Sequence, residues 1–286
     1  MLLEFEHVSY TYPGSQQPAI ANLILNIPVG KRCALIGQNG CGKTTLFLLA
    51  NGLYQPQQGV IRWHGLPLRY DRASLMQLRQ HVGLVFQDPE QQLVASTVEE
   101  DLSYGLCNLG LPDSEVRERV RQAVVEFELT ALVGKPVHHL SLGQKKRVSI
   151  ADVMVLQPTL LLLDEPTAYL DPRHTRNLIA TLKKIQATGT TILMATHDLD
   201  FVYRWADWIF VMDQGQLVLE GNPQDVFTQR QVLEGLELGV PMVFELLAKV
   251  CEVMHEERPS SDNSPFSQIE HLQQQILQSF RWSNND

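Results

Sequence analysis

The sequence predicts an α/β fold built on a mostly parallel sheet, and three observations carry that expectation. The glycine-rich stretch Gly37-Gln-Asn-Gly-Cys-Gly-Lys43-Thr44-Thr45 follows the apolar run 33–36 and precedes the helix-forming residues 46–50. A second apolar run, 160–163, ends in two adjacent carboxylates, Asp164 and Glu165. A third, 191–195, is separated from the second by a helical stretch over 173–187. A strand, helix, strand order with uninterrupted apolar strands is the pattern of parallel strands covered on both faces.

The remaining elements follow in order. Short β-branched and apolar runs at 2–8, 23–27, 33–36, 60–63 and 82–86, separated by Gly, Pro and Asn turns, predict a strand-rich front segment with one helix, the one after the glycine turn. Thr97-Val-Glu-Glu100 forms a capping box, and Val116, Val120, Val124 and Phe127 recur at helical spacing, so a helical insert is expected over about 97–155. Beyond about 229 the chain turns helical again. Val243, Leu246, Leu247, Val250 and Met254 make one apolar stripe; a Pro/Ser/Asp linker at 258–265 and a second stripe at Phe266, Ile269, Leu272, Ile276 and Phe280 follow. The expected division is a nucleotide-binding domain over 1–228 and a helical extension over 229–286 used for dimerisation or partner docking.

Composition narrows the function classes. A chain of 286 residues, 44% hydrophobic and 19% charged, has room for one large core and a small appendage. A net charge of −9 argues against a nucleic-acid footprint, so no nucleic-acid partner is expected. Cys33, Cys41, Cys107 and Cys251 show no C-x-x-C spacing, which predicts reduced thiols and neither a disulfide framework nor a zinc site. The acidic Met-Leu-Leu-Glu-Phe-Glu start lacks the basic region of a secretory leader. No apolar stretch reaches 18 residues, and 153–163 is broken by Gln157-Pro158, so a membrane role is expected to come through a partner.

The glycine stretch satisfies G-x-x-x-x-G-K-[ST], a phosphate cradle. Gly37, Gly40 and Gly42 give the backbone the freedom to turn successive N–H groups onto one phosphate chain. Lys43 then supplies positive charge to the β and γ phosphates, and the Thr44 hydroxyl a magnesium ligand. Four leucines ending in Asp164-Glu165 place two carboxylates at the end of a buried strand. In a phosphate-loop ATPase the first holds magnesium and the second orients or deprotonates the attacking water. The cradle's helix N-terminus and Lys43 are expected to lower the Cys41 thiol pKa and make it reactive.

With these motifs in order, the chain resembles the ATP-binding-cassette (ABC) ATPase family over residues 2–228. Leu140-Ser-Leu-Gly-Gln144, followed by Lys145-Lys-Arg147, is similar to the family's signature sequence. Gln87 in Val85-Phe-Gln-Asp-Pro-Glu90, the turn Ala168-Tyr-Leu-Asp171, and Thr196-His197-Asp198 extend the match. The resemblance implies a P-loop NTPase core, an N-terminal antiparallel β subdomain, a helical signature subdomain, and ATP with Mg2+ as cofactors. It implies a catalytic set of Lys43, Gln87, Glu165 and His197, with Gln87 on magnesium or the attacking water and His197 on the γ phosphate. Thr44, Gln87 and Asp164 are the implied metal ligands. Gly37, Asn39, Gly40, Cys41, Gly42, Lys43, Thr44 and Thr45 form the implied nucleotide cradle. Tyr12 falls where the family places a ring against adenine, although a plain strand tyrosine fits the position as well. Ser141, Gly143 and Gln144, at the start of a helix expected near Gln144, would hold the γ phosphate of ATP bound to an opposite subunit, which implies a dimer. Two departures stand out: Leu142 replaces the usual signature glycine, and Tyr169 a usually small residue. His138-His139 is read as a loop pair, since adjacent side chains on a regular element face apart.

Gly83-Leu-Val-Phe-Gln-Asp-Pro-Glu-Gln-Gln, the Lys145-Lys-Arg run, Ala206-Asp207 before a strand, Glu220-Gly221-x-Pro223 and the helical tail resemble the ATPases of energy-coupling-factor (ECF) transporters. That group includes cobalt, nickel and vitamin importers. The resemblance implies a peripheral protein on the cytoplasmic face of the cell membrane. Its implied partners are a like ATPase subunit, identical or not, a transmembrane coupling protein and a substrate-capturing membrane protein. Two alternatives stay open: the ATPase of a conventional importer or exporter, and a soluble ABC protein acting on DNA or ribosomes. Against the latter stand the single cassette, the acidic charge and the lack of zinc spacings or a long coiled-coil insert.

Overall fold

The computed structural model describes residues 1–168 and 170–246. β1 (Leu3–Tyr10) and β2 (Ile20–Ile27) pair antiparallel with Leu3 opposite Ile27 and Phe5 opposite Leu25. β3 (Arg32–Ile36) is buried along its whole length, as a strand covered on both faces must be. It leads through the glycine turn into α1 (Lys43–Ala50). β4 (Gln58–Trp63) and β5 (Leu66–Pro67) complete a four-stranded antiparallel sheet in the order β2-β1-β4-β5. Next comes α2 (Arg72–His81), then β6 (Val82–Val85). The front segment therefore holds two helices where the sequence pattern predicts one. Asp71 caps α2 by accepting from the Ser74 N–H, but Leu78 is its one buried residue, so no apolar stripe marks it.

The expected helical insert resolves into three helices. α3 (Val98–Asn108) opens on the Thr97–Glu100 capping box. α4 (Asp113–Glu126) buries Val116, Val120 and Val124 on one face. α5 (Leu142–Met154) starts two residues before the expected position because Ser141 caps it. β7 (Leu160–Asp164), α6 (Pro172–Ala187), β8 (Thr191–Ala195), α7 (Leu199–Trp205) and β9 (Trp208–Asp213) continue the α/β alternation. β10 (Gln216–Gly221), α8 (Pro223–Thr228) and α9 (Arg230–Gly235) follow.

The second sheet has six strands in the order β10-β9-β3-β8-β7-β6. β9, β3, β8, β7 and β6 are parallel, and only β10 runs the other way. Its reversal follows from the two-residue turn Gln214-Gly215, both with positive φ, which folds β9 and β10 into a hairpin. Side-chain alternation along the parallel strands feeds two cores. Ala34, Ile36, Leu161, Leu163, Ile192 and Met194 face the helices of the insert and α6; Cys33, Leu35, Leu160, Leu162, Leu193 and Ala195 face α1 and the antiparallel sheet. Because the strands are parallel, the segments after β3, β6, β7 and β8 leave the sheet at one edge.

The chain after α8 packs on the first core. Leu233 and Val243 are buried there, and the Phe244 ring lies against Tyr203 and Phe227 at centroid separations of 5.2 and 5.9 Å. Leu246 of the predicted stripe is exposed; Leu247, Val250, Met254 and the whole stripe 266–280 lie outside the described residues, as does Tyr169.

One ion pair ties β3 to the segment before β9. Arg32 donates from Nε and Nη2 to Asp207 at 3.1 and 2.7 Å, and its backbone N–H adds a third bond at 3.0 Å. Burial works to raise the Asp207 pKa, but the Arg32 bonds and charge outweigh it and hold the carboxyl below its ordinary value. That stability is present above about pH 4 and lost as pH falls through the lowered value. Asp207→Ala, which strands a largely buried guanidinium, should cost about 3 kcal/mol in urea unfolding. Asp207→Asn should show a smaller loss of stability than the wild type when both are acidified.

Candidate nucleotide-binding and hydrolytic site

The cradle is shaped by backbone that tolerates no side chain. A Cβ on Gly37 (φ 156°) would sit 2.3 Å from the Met212 carbonyl oxygen and 2.6 Å from Cys41 Sγ; one on Gly42 (φ 108°) would sit 2.5 Å from the Ala19 oxygen. Both positions pack the loop against strands that hold it in place. Gly42 is also the N-cap of α1 and offers no side-chain cap, so the first N–H groups of that helix are left for an external acceptor. Lys43 is 8% exposed and donates to the Gly37 and Gln38 carbonyl oxygens at 2.7 and 2.9 Å. Its ammonium is thus held over the concave side of the loop. Asn39 and Gly40 are exposed at the loop's tip. Thr45 accepts or donates a 3.0 Å bond with the Tyr12 hydroxyl, and Tyr12 sits edge-on to Tyr10 and Tyr54 in a ring cluster beside the loop.

Thr44 points the other way. Its hydroxyl donates to Asp164 Oδ2 at 2.6 Å, joining α1 to the end of β7. Burial, reinforced by the neighbouring Glu165, raises the Asp164 pKa, while the Thr44 bond and the Lys43 charge act to lower it. Glu165 is buried with φ at 41°, a left-handed conformation unusual for a side chain of this size. Its N–H donates to the Ala195 carbonyl at the end of β8. Its Oε2 is shielded from solvent and has no well-aligned hydrogen-bond partner, although His197 Nδ1 lies 3.0 Å away. The His197 ring itself is largely exposed.

The polar signature residues make no hydrogen bond to this cluster. Ser141 Oγ accepts from the Gln144 N–H, and Gln144 Oε1 accepts from the Ser141 N–H at 2.9 Å, closing a capping box at the start of α5. Gly143 packs against His174 so closely that a Cβ would come within 2.8 Å of the ring. Gln87 is exposed after β6 and, with Leu142, Phe86 and Pro89, lines a cavity of about 440 Å³ that opens onto Thr44 and Asp164. The structure thus brings Lys43, Thr44, Asp164, Glu165 and His197 into one contiguous cluster, with Tyr12 beside Thr45 and Gln87 across a cavity from Asp164. Ser141 and Gln144 bond to each other at the start of α5, and Gly143 packs against the His174 ring of α6; none of the three has a hydrogen bond to that cluster.

Two findings run against or beyond the sequence reading. Cys41 is 4% exposed, and burial raises its thiol pKa despite the Lys43 ammonium 3.8 Å away. The expectation of a lowered pKa is therefore corrected: desolvation outweighs the nearby charge. Lys146, to which the sequence reading gave no task, is 2% exposed and donates to the Phe86 and Gln87 carbonyl oxygens. Burial brings its pKa down to about 8 against the opposing pull of Asp164, Asp88 and Glu165. The Lys145-Lys-Arg run is its visible signal, but only the helix phase decides which lysine turns inward.

The donor set suits magnesium. Thr44 and Asp164 put a hydroxyl and a carboxylate oxygen 2.6 Å apart, near the roughly 3 Å between adjacent ligands of an octahedral ion with bonds of about 2.1 Å. Among the described residues no cluster of three His, Cys, Asp or Glu side chains forms a protein-only metal cage. One or two protein oxygens completed by phosphate oxygens is how magnesium is held in nucleotide sites.

What converges at the carboxyl edge of the sheet is the machinery of a phosphate-loop ATPase. The family model for ABC transporters matches residues 20–168. A Nostoc sp. (strain PCC 7120) protein described as an ABC transporter ATP-binding protein is 66% identical over 262 residues, covering 92% of this chain and 95% of its own. The energy-coupling factor transporter ATP-binding protein EcfA2 of Clostridium perfringens (strain SM101) is 41% identical, covering 86% of each chain. Among solved structures, cbiO1 from Clostridium perfringens, part of the ABC transporter complex cbiONQ, superposes with a TM-score of 0.74 at 41% identity, covering 86% of this chain and 98% of its own. A dimeric ATP-binding cassette in a post-hydrolysis state, bound to ADP and phosphate, superposes at 0.70 and 26% identity, covering 78% and 99%. The chain belongs to the ATP-binding proteins of ABC transporters.

The Cys41 correction is testable by labelling. In a Cys107→Ser, Cys251→Ser background, N-ethylmaleimide should modify Cys41 at least about tenfold more slowly than it modifies exposed Cys107 in the unaltered chain, as read by mass spectrometry. Comparable rates would show the thiol to be reactive after all.

Proposed function

We propose that the chain is the ATP-hydrolysing subunit that energises an ECF-type membrane importer of a metal ion or vitamin, acting by ATP-driven closure onto a like subunit. The observation that carries this reading is the placement of Lys43, Thr44, Asp164, Glu165 and His197 in one cluster while the signature residues lie outside it. In this reading a second copy or a like chain supplies the signature contact that the site does not make with its own α5. The names of the relatives support the transporter type: EcfA2 is an energy-coupling factor protein, and cbiO1 is part of cbiONQ. No described helix is long and apolar enough to cross a membrane, so the span would come from a transmembrane coupling protein and a substrate-capturing protein, with this chain on the cytoplasmic face. Residues 1–228 would form the nucleotide-binding domain. Residues 229–286 would extend it for pairing or docking.

In this reading Tyr12 stacks on adenine. The N–H groups of residues 37–45 wrap the phosphates, and the Lys43 ammonium leaves the Gly37 and Gln38 carbonyls for the β and γ phosphate oxygens. Thr44 and Asp164, joined by Gln87 from across the cavity, would hold magnesium, which would neutralise phosphate charge. Glu165 Oε2, dry and poorly bonded, accepts a proton from the attacking water or orients it along the line to the γ phosphorus. His197, with its Nδ1 3.0 Å from that carboxylate, would donate to the γ phosphate through its other ring nitrogen. Ser141, Gly143 and Gln144 of the second subunit, at the N-terminus of their α5, close over the same phosphate from the far side.

Magnesium-dependent turnover should fall to background in Lys43→Ala. Glu165→Gln should retain ATP and accumulate as a dimer under light scattering; a monomer at saturating ATP, alone and with a co-expressed like ATPase, would sink the sandwich. Co-purification of a polytopic membrane protein with the tagged chain, depleted by substitutions at Gln91 or Val94 beside Gln87, would test the transporter assignment.

A further inference from the structure

The segment that carries Gln87 is fastened to α5 by a polar contact that neither the phosphate cradle nor the signature explains. After Gln87 the chain makes a short turn at Pro89–Gln91, and Gln92 then points back into the protein. Its Oε1 accepts from the Phe86 N–H at 3.3 Å; its Nε2 donates to the Ser149 carbonyl at 2.7 Å and to Asp152 Oδ2 at 3.2 Å. One amide thus clamps both ends of the Gln87 segment to α5. Lys146 holds the same segment from the carbonyl side, and Lys145 pairs with Glu90. Residues 145, 146, 149 and 152 fall on one face of α5. From the other side Asp101, 2% exposed on α3, accepts the Val94 and Ala95 N–H groups at 2.9 and 2.8 Å through Oδ1, while its Oδ2 is buried without a partner.

We propose that Gln92 and Asp152 are positioning residues for hydrolysis, locking the segment that bears Gln87 to the helix that bears Ser141 and Gln144 so that both reach the nucleotide sites as one unit. The inference rests on the roles proposed above for Gln87 and the signature. The lock has a charge state. Burial and the adjacent Asp101 raise the Asp152 carboxyl to about 7, with the Gln92 amide opposing. Other charged groups on the packed elements are engaged elsewhere: Lys145 with Glu90, Lys146 with loop carbonyls, Arg147 near Glu128, Arg119 with Glu115 and Arg121 with Glu118. The raised pKa means that the protonated carboxyl is the state the fold favours. Its contribution is present at low pH and lost as pH rises through about 7. Above that, an ionised Asp152 is held in a dry site beside Asp101, and opening the lock to water relieves that cost.

The test uses the full chain assembled with its ATPase partner and membrane subunits. ATP turnover and nucleotide affinity are measured from about pH 6 to 8.5 for the wild type, Gln92→Ala, Asp152→Asn, and Lys43→Ala as control. Asparagine keeps the shape and cannot ionise. The ratio of Asp152→Asn to wild-type kcat should rise about threefold across that range, a comparison in which other titrating groups cancel. Gln92→Ala should lower kcat about fivefold with the ATP dissociation constant unchanged, since Gln92 touches no nucleotide-cradle residue. A flat ratio, together with Gln92→Ala turnover within twofold of wild type, overturns the inference while an inactive Lys43→Ala leaves the catalytic reading intact. Should Gln92→Ala fail to fold, the Asp152→Asn ratio alone decides. Wild-type turnover in Lys43→Ala overturns both readings.

Discussion

The contact between Thr44 and Asp164 is the constraint on which the site depends. The two residues belong to elements that do not adjoin: β3, which feeds α1, and β7 are separated in the sheet by β8. Two strand spacings amount to roughly 10 Å, a gap that no backbone pairing closes. It is closed because parallel register brings Leu35, Ala195 and Asp164 to one level, with Leu35 opposite Ala195 and Ala195 opposite Asp164. The helix that leaves the glycine turn then reaches back over the sheet edge. Any slip of β8 by one residue would exchange its two faces and remove the 2.6 Å contact.

The same geometry explains why charged groups can be kept at a dry edge. Lys43, Asp164 and Glu165 are each less than a tenth exposed, and burying charge without partners is costly. Lys43 and Asp164 are satisfied internally, by carbonyls and by the Thr44 hydroxyl. Glu165 is the exception. It combines a left-handed backbone, worth about 1–3 kcal/mol of strain, with a carboxylate oxygen that lacks an aligned donor. The strand-end bond from its N–H to Ala195 holds it there. Strain and poor solvation concentrated on one residue beside a phosphate cradle fit a group that gains its best partner only when substrate and water arrive.

How far the sequence reads depends on the range of the interaction concerned. The strands 33–36, 160–163 and 191–195 are legible because burial on both faces demands continuous apolar runs, and the capping box at Thr97 because its partners are three residues apart; the equally local box at Ser141 is not among the expectations, and α5 starts two residues early for that reason. α2 was not, since a helix burying only Leu78 has no stripe to read. The Cys41 expectation fails for a related reason: the Lys43 charge is a neighbour in sequence, whereas β9, whose Met212 shares the buried core with the thiol, is not. The Gln92–Asp152 contact spans sixty residues and gave no local sign.

The sequence by itself determined the chemistry available: a glycine turn that can cradle phosphate, one lysine, a hydroxyl and two carboxylates at strand ends, because each of these is encoded within a few consecutive residues. The tertiary structure decided which of these groups meet. Sheet order and parallel register bring Thr44 to Asp164 and His197 to Glu165, and helix phase turns Lys146 onto the Phe86 and Gln87 carbonyls while Lys145 reaches Glu90. Burial, a property of the whole fold, sets the proton affinity of Cys41, Lys146 and Asp152 in directions that no stretch of neighbouring residues contains.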